Sequence, residues 1–366
     1  MKKCKQRNSG IGGQAVLEGV MMRNGENYAI AVRKSDGSIV VKEEKYRGIL
    51  ADSPLKKIPF LRGVFVFIDS MILGLRCTDY SATIYAEDDP EEQEKDLKQA
   101  KGREQLSDMD AVRNESAGEG PAPGPASEQV PQQAPQSEHS EKTEEKESLG
   151  ERILMAGVMV VSLVLALGLF MVLPYFLASH LVRFIGSPAL LSLLEGLLRI
   201  AIFVCYILLI SQMKDIRRLF QYHGAEHKCI NCLESGHELT VENASKATRL
   251  HKRCGSSFIL FVMMVSIILF FFIRVSNPFA RVGLRILLLP VISGISYELI
   301  RFAGSSDNPV IGLLSKPGLW LQGLTTKEPD AEMLAVAISS VEAVFDWRAY
   351  LQGLEDSEEE AAQAAC

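Results

Sequence analysis

The sequence predicts an α-helical multi-pass membrane protein with about four transmembrane helices, a small N-terminal β unit and cytoplasmic amphipathic helices. Four segments are apolar and long enough to cross a bilayer as helices. A glycine-containing stretch of strand-like and turn residues precedes them. A long acidic segment between the two regions has too few apolar residues to fold.

The composition excludes some classes of protein. The net charge of −6 comes mainly from the acidic segment and from the C-terminal tail, so it says little about partners. No basic run interleaved with aromatic residues indicates binding of nucleic acid. The seven cysteines are scattered, and the basic first residues are followed by polar and glycine residues rather than by an apolar signal segment. We therefore expect a reducing compartment.

The first fifty residues form the predicted β unit. Residues 12–23 combine several glycines with aliphatic residues, which favours a strand over a helix. Residues 28–33 and 39–42 flank Asp36 and Gly37, a pair typical of a two-residue hairpin turn. A sheet of this size is not robust unless it packs on something else.

Two segments connect the β unit to the membrane domain. Within residues 51–85, apolar side chains recur at helical spacing between Ile58 and Arg76. Charged residues interrupt this run, so we expect an amphipathic helix at the membrane interface rather than a spanning helix. Residues 86–150 are rich in Glu, Gln, Ser and Pro, which predicts a disordered acidic linker.

Residues 151–303 form the predicted four-span membrane domain. Its spans are residues 153–173, 190–213, 255–273 and 282–300. Glu195 and Arg199 are four residues apart in the second span, and we expect an ion pair there rather than a transport site.

The charges of the loops predict the orientation. The central loop, residues 214–254, carries eight Lys and Arg residues, whereas the loops on the opposite side carry three. By the positive-inside rule, the central loop and both termini are cytoplasmic in a bacterial plasma membrane. The bilayer is then the first partner of the chain.

The C-terminal region follows the last span. Residues 304–354 read as a cytoplasmic interfacial segment, anchored by Trp320, followed by an amphipathic helix that could cover the β unit. The helix is predicted from four apolar residues at helical spacing: Leu334, Ile338, Val341 and Phe345. Residues 355–366 form an acidic tail that we expect to be frayed.

The central loop holds the candidate chemistry. His223, Glu226 and His227 form an H-x-x-E-H pattern, and on a helix the two histidines share one face. In metallopeptidases with this pattern the histidines bind zinc and the glutamate accepts a proton. Because a catalytic zinc site needs a third protein ligand and an open position, we name Glu226 as the catalytic base and expect a further ligand from His251 or Cys254.

Other interpretations remain open at this stage. Cys229 and Cys232, with His251 and Cys254, could complete a closed structural zinc site. Glu298 is an alternative ligand or a residue that orients a ligand histidine, and a snorkelled ion pair with Arg301 is the plainer interpretation. Without any metal, the histidines would cap helices and bind lipid phosphates.

Several stretches together resemble the YqhQ-like bacterial membrane proteins, a family catalogued as domain of unknown function 1385 and described as predicted metal-dependent enzymes. The stretches are residues 12–23, 62–64, 222–228, 251–258, 294–298 and 317–329. The resemblance implies a multi-pass membrane protein with a metal site at His223, Glu226, His227, His251 and Cys254. Members usually have proline at the position of Lys252, and cysteines at 229 and 232 are not expected, so these two cysteines are an unlikely part of a shared site.

The leading functional prediction is a metal-dependent hydrolase, with zinc as the default divalent metal, acting on a membrane-associated peptide or lipid-like substrate at the cytoplasmic membrane face. The alternative is a non-catalytic membrane assembly or transport component, bound to protein partners, whose metal is structural. The number of protein ligands separates the two, since three leave an open position and four do not.

Overall fold

The computed structural model describes residues 8–49, 53–54, 58–87, 149–180, 187–273, 277–305 and 309–364. The chain divides into two compact units, Pro90–Gly168 and the remainder. The predicted linker lies outside the described residues apart from its two ends.

The N-terminal region forms one antiparallel sheet of four strands in sequential order: β1 (Gly12–Val16), β2 (Gly19–Asn24), β3 (Asn27–Arg33) and β4 (Ile39–Lys45). Residues 12–23, predicted as one strand, are two strands joined by a tight turn at Leu17 and Glu18. Glu18 adopts a positive φ of 48°. Residues other than glycine rarely do so, and the residue type at this position therefore gives no sign of the turn.

The predicted β3–β4 hairpin is present, but its loop is longer than two residues. Lys34 N donates to Ser38 O at 2.9 Å, and among the loop residues only Gly37 has a positive φ. The Asp36 carboxylate accepts a hydrogen bond from Ser38 N at 2.7 Å, so this backbone N–H is paired inside the loop.

The described residues contain eleven α-helices and one π-helical turn. They are α1 (Leu61–Glu87), α2 (Leu149–Leu167), the π-helix (Gly168–Val172), α3 (Leu173–His180), α4 (Pro188–Ile210), α5 (Lys214–Glu234), α6 (Val241–Lys246), α7 (Gly255–Phe272), α8 (Pro278–Ser305), α9 (Pro309–Thr325), α10 (Ala331–Val344) and α11 (Trp347–Ala364).

The sheet is covered on both faces, which explains how so small a β unit is stable. Helices α5 and α10 pack on one face, where Val20, Met22 and Ala31 are buried. Helix α1 packs on the other face through Leu73 and Cys77. Neighbouring residues of a strand point to opposite faces, so β2 contributes to both cores.

Four helical segments are long and apolar enough to cross a membrane: Val160–His180, Leu190–Ile210, Gly255–Phe272 and Gly283–Ala303. These candidate spans overlap all four predicted ones. Helix α8 extends beyond its apolar part at both ends and contains Pro290. The loop that connects α4 to α7, predicted as the His-rich loop, is itself mostly helical because α5 and α6 form within it.

Helix α1 is longer than predicted and lies against α8. A Cβ on Gly63 would be 2.6 Å from Tyr297 Cβ, and one on Gly294 would be 2.6 Å from Phe60 O. The two glycines therefore permit a close approach that any side chain would prevent. Arg62 reinforces the contact with two hydrogen bonds to Glu298, at 2.6 and 2.5 Å.

Both C-terminal segments are helical among the described residues. The Trp320 segment lies inside helix α9, with Pro317 within that helix, and the Trp320 side chain is exposed. Most of the tail, expected to be frayed, continues helix α11 to Ala364, since its Glu and Ala residues are good helix formers.

Candidate metal centre

Helix α5 carries the H-x-x-E-H pattern where its buried half begins. Its second half is buried between β1 and α10, from Gly224 to Glu234. A Cβ on Gly224 would lie 2.0 Å from Lys327 O, so only glycine lets the chain after α9 cross the helix here. Lys327 N donates to Phe220 O at 2.8 Å and holds this crossing.

Both histidines of the pattern are oriented by backbone carbonyls. His223 Nδ1 lies 3.0 Å from Thr325 O, and His227 Nδ1 lies 2.6 Å from Arg249 O. A carbonyl oxygen can only accept, so each Nδ1 carries a hydrogen and donates it. This arrangement leaves each Nε2 as the atom available to a metal, and histidine ligands are usually oriented in this way.

Cys254 completes a group of three. The Nε2 of His223 lies 3.2 Å from Cys254 Sγ, and the ligand atoms of His223, His227 and Cys254 all lie within 4.8 Å of one another. A tetrahedral zinc ion with bonds of about 2.0 Å to nitrogen and 2.3 Å to sulfur sets these atoms about 3.5 Å apart. His227 Nε2 is buried and has no hydrogen-bond partner, so the donor set fits a metal ion.

The charges of the group favour a thiolate. Burial alone would raise the pKa of Cys254, but His223 and His227 hold this pKa well below its usual value. Cys254 also lies at the N-terminus of α7, where the helix dipole favours a negative charge. Burial alone would lower the pKa of His223, yet Cys254 raises it to about 9. The imidazoles and the thiol therefore each favour the charged form of the other.

Glu226 lies next to the two histidines without belonging to the group of three. Its Oε2 is 3.6 Å from His227 Nε2 and 3.9 Å from His223 Nε2, and the residue is buried. A Cβ on Gly13 would be 2.8 Å from Glu226 Cγ, so glycine allows β1 to pack on this carboxylate. Gly13 also lines a cavity of about 430 Å³ together with Arg253.

His251, predicted as a ligand, belongs to a neighbouring set of contacts. Its Nε2 lies 3.6 Å from Glu234 Oε2, and Arg253 forms a short ion pair with the same carboxylate. Its ring centroid is 5.7 Å from that of His227. Gln322 holds the His251 backbone from both sides, accepting from His251 N at 2.8 Å and donating to His251 O at 2.7 Å.

The remaining predicted site residues lie elsewhere. Cys229 and Cys232 are buried in the core between α5, α10 and the sheet, and Cys232 Sγ approaches Glu238 O at 3.4 Å. Burial raises the pKa of Cys232 to about 11. Glu298 contacts Arg62 through both oxygens, an ion pair as the plainer interpretation supposed, but with a partner other than Arg301.

Sequence reasoning missed the residues that position the group. Thr325 and Arg249 act through backbone carbonyls, which no residue type reveals. Gln322 positions the loop before Cys254, and Gly13 and Gly224 permit close packing around the pattern. The glycines stand in the stretches that carry the family resemblance, and this was the one signal that could have drawn attention to them.

The fold and the site together define a class: a mostly helical protein with four apolar, span-length helices, a small antiparallel sheet and a buried His-His-Cys group. The family model described as "Protein of unknown function (DUF1385)" matches residues 58–347. The chain is 35% identical over 330 residues, 90% of each chain, to "Uncharacterized protein YqhQ" of Bacillus subtilis (strain 168). The chain belongs to the DUF1385 family. No solved structure matches it.

Proposed function

We propose that this chain is a multi-pass membrane protein that binds one zinc ion through His223, His227 and Cys254 and hydrolyses a membrane-associated substrate. The observation that carries the proposal is the orientation of the two histidines, whose Nδ1 atoms donate to carbonyls while both Nε2 atoms face the Cys254 side. When bound, zinc would act as a Lewis acid and lower the pKa of a coordinated water.

Glu226 supplies the proton acceptor in this proposal. The Glu226 carboxylate is not one of the three metal donors. Its Oε2 lies within 4 Å of the Nε2 atoms of both His223 and His227. A base that stays outside the ligand set keeps its lone pairs for a proton. Gly13, which packs against the Glu226 side chain, also lines a cavity of about 430 Å³, but Glu226 itself does not line that cavity.

A structural zinc site in an assembly or transport component is the second candidate. The observation that favours it is burial, since Glu226 and His227 are 4% and 1% exposed and a substrate must reach them. The number of ligands argues against a structural zinc site. Within the described parts of the chain, three donors come together rather than four, because Cys229, Cys232 and His251 face other partners.

The coordination of the purified metal separates these candidates. We expect elemental analysis of the full chain to find about one zinc per molecule. X-ray absorption should find two nitrogen ligands at about 2.0 Å, one sulfur at about 2.3 Å and one further light atom from solvent. Two sulfur ligands would move the assignment to a closed structural site, and carefully prepared protein without metal would overturn the proposal.

The proposed location is a bacterial plasma membrane, with both termini and helix α5 on the cytoplasmic side. The basic excess of residues 214–254 supports this orientation. Cys229 and Cys232 are poor probes of it because both are fully buried. The exposed residues His237 and Asn277 lie in loops on opposite sides in the proposed topology.

Single cysteines at these two positions should therefore label differently. In a background without reactive native cysteines, Asn277→Cys should react with an impermeant maleimide added to intact cells. His237→Cys should react only after the membrane is permeabilised. The reverse pattern would invert the topology, and labelling of both positions in intact cells would contradict four crossings.

A further inference from the structure

A second charged cluster, which shares no residue with the histidine site, lies among the apolar helices. Glu195 and Arg199 of α4 meet Arg285 of α8: Arg199 donates to Glu195 Oε1 at 3.2 Å and Arg285 donates to the same oxygen at 2.6 Å. All three side chains are between 6% and 13% exposed. The predicted ion pair is therefore a triad with two cations and one acid.

The triad carries an excess of positive charge. Glu195 brings at most one negative charge against two guanidinium groups, which stay protonated. Arg285 Nε is buried and has no hydrogen-bond partner among the described residues. A buried charge without a counter-charge is strongly unfavourable in an apolar environment. A missing anion would explain both the unbalanced charge and the unused donor.

Neighbouring groups hold the two arginines in place without neutralising them. Arg199 Nε donates to Phe170 O at 3.1 Å, a carbonyl in the π-helical turn. Such turns disturb the regular helical hydrogen bonds and are frequent at functional sites. The Arg285 guanidinium lies 5.2 Å from the centre of the Phe270 ring, which covers one of its faces. Its Nε is buried, and its hydrogen is used by no acceptor among the described residues.

The position of the triad indicates where the ligand comes from, an argument that rests on the four crossings of the proposed function. Glu195 is five residues after Leu190, about 8 Å along a helix, and Arg285 is two residues after Gly283. Both residues lie near the start of a candidate span, and with four crossings both starts are on the side opposite helix α5. By the same rise per residue, Arg285 lies about 3 Å inside its span, within reach of the headgroups through its long side chain, while Glu195 and Arg199 lie deeper among the acyl chains.

We propose that Glu195, Arg199 and Arg285 form a binding site for a phosphate group. A guanidinium fork matches phosphate oxygens with two parallel hydrogen bonds, and Arg285 Nε supplies an unused donor. Exposed apolar side chains flank the triad at Leu197, Ile286 and Leu287, where acyl chains would lie. The phosphate is therefore that of a phospholipid of this leaflet or a free phosphate ion.

Thermal unfolding of the purified full chain in detergent tests the site. Phosphatidylglycerol, diacylglycerol with the same acyl chains and inorganic phosphate are added separately. For the wild type we expect the Tm to rise by about 3–5 °C at a hundredfold excess of ligand over Kd. A rise with phosphatidylglycerol alone assigns a lipid, and a rise with inorganic phosphate as well assigns the free ion. A response to diacylglycerol equal to that with phosphatidylglycerol, or no response at all, overturns the proposal.

Two variants change the response in opposite directions. Arg285→Gln leaves one acid against one arginine and should abolish the Tm rise. Glu195→Gln removes the competing carboxylate and should keep or enlarge it. Equal responses of wild type and Arg285→Gln would contradict the site. If a variant does not fold, native mass spectrometry of the wild type with phosphatidylglycerol or inorganic phosphate is the second measurement. A bound phospholipid or phosphate ion supports the site, and the absence of both contradicts it.

Discussion

Replacing Glu226 by glutamine should abolish the proposed hydrolysis while leaving the proposed zinc ion in place. The amide is nearly isosteric with the carboxylate, so the packing of Gly13 against residue 226 and the carbonyl contacts of both histidines remain. The change removes the proton acceptor. General acid–base assistance is typically worth ~10²–10⁴-fold in rate, so Glu226→Gln should fail to complement cells that lack the chain.

Three measurements on this one variant decide the outcome: abundance in the membrane, bound zinc and complementation. Glu234→Gln is the matched control, since Glu234 is a buried carboxylate on the same helix that contacts Ser9 and Arg253 rather than the three donors. We expect that control to lose abundance, because it removes the carboxylate that pairs with the partly exposed Arg253. Full complementation by Glu226→Gln at normal abundance would rule out general-base catalysis by this residue.

Removing the donors should release the metal altogether. His223→Ala combined with His227→Ala deletes two of the three donors, and we expect zinc content to fall from about one per chain to below about one tenth. Cys254→Ser should have a similar effect with less disturbance of the fold. Serine is a good N-cap, so residue 254 can still accept from Ser256 N at the start of α7.

Cys232→Ser is the control for this experiment. Its thiol is buried 22 positions before Cys254, yet it contacts backbone carbonyls near Glu238 rather than the histidines. The variant should keep its zinc even if its stability falls. Zinc lost from Cys232→Ser at normal abundance, or zinc retained by the His223→Ala/His227→Ala protein, would contradict the proposed ligand set.

The four apolar, span-length helices and the spacing of the two histidines could be predicted from the sequence because both are local properties. An uninterrupted apolar run of about twenty residues is enough to identify a candidate span, and positions 223 and 227 share a face of any helix. The hairpin at Gly37 was also predictable, since a positive φ selects glycine. The turn at Glu18 was not, because glutamate has no preference for that conformation.

Local sequence patterns could not select the third metal ligand among four candidates: His251, Cys229, Cys232 and Cys254. All four are near the pattern in sequence, but among the described residues only Cys254 brings a donor atom within 4.8 Å of the donor atoms of both histidines. The choice depends on where the loop before α7 runs, and Gln322 sets that course from 71 residues away. Cys229 and Cys232 lie on the same helix as the histidines but face the core of α10 and the sheet.

Local sequence patterns were enough to predict the four apolar helices, the β unit and the pairing of His223 with His227. Each of these follows from residues that are close together in the chain. The tertiary structure decided which carbonyls orient the histidines, which thiol joins them and that Arg285 adds a second cation to Glu195 and Arg199. These contacts join segments 22 to 102 residues apart, and their geometry depends on how helices pack rather than on spacing along the chain.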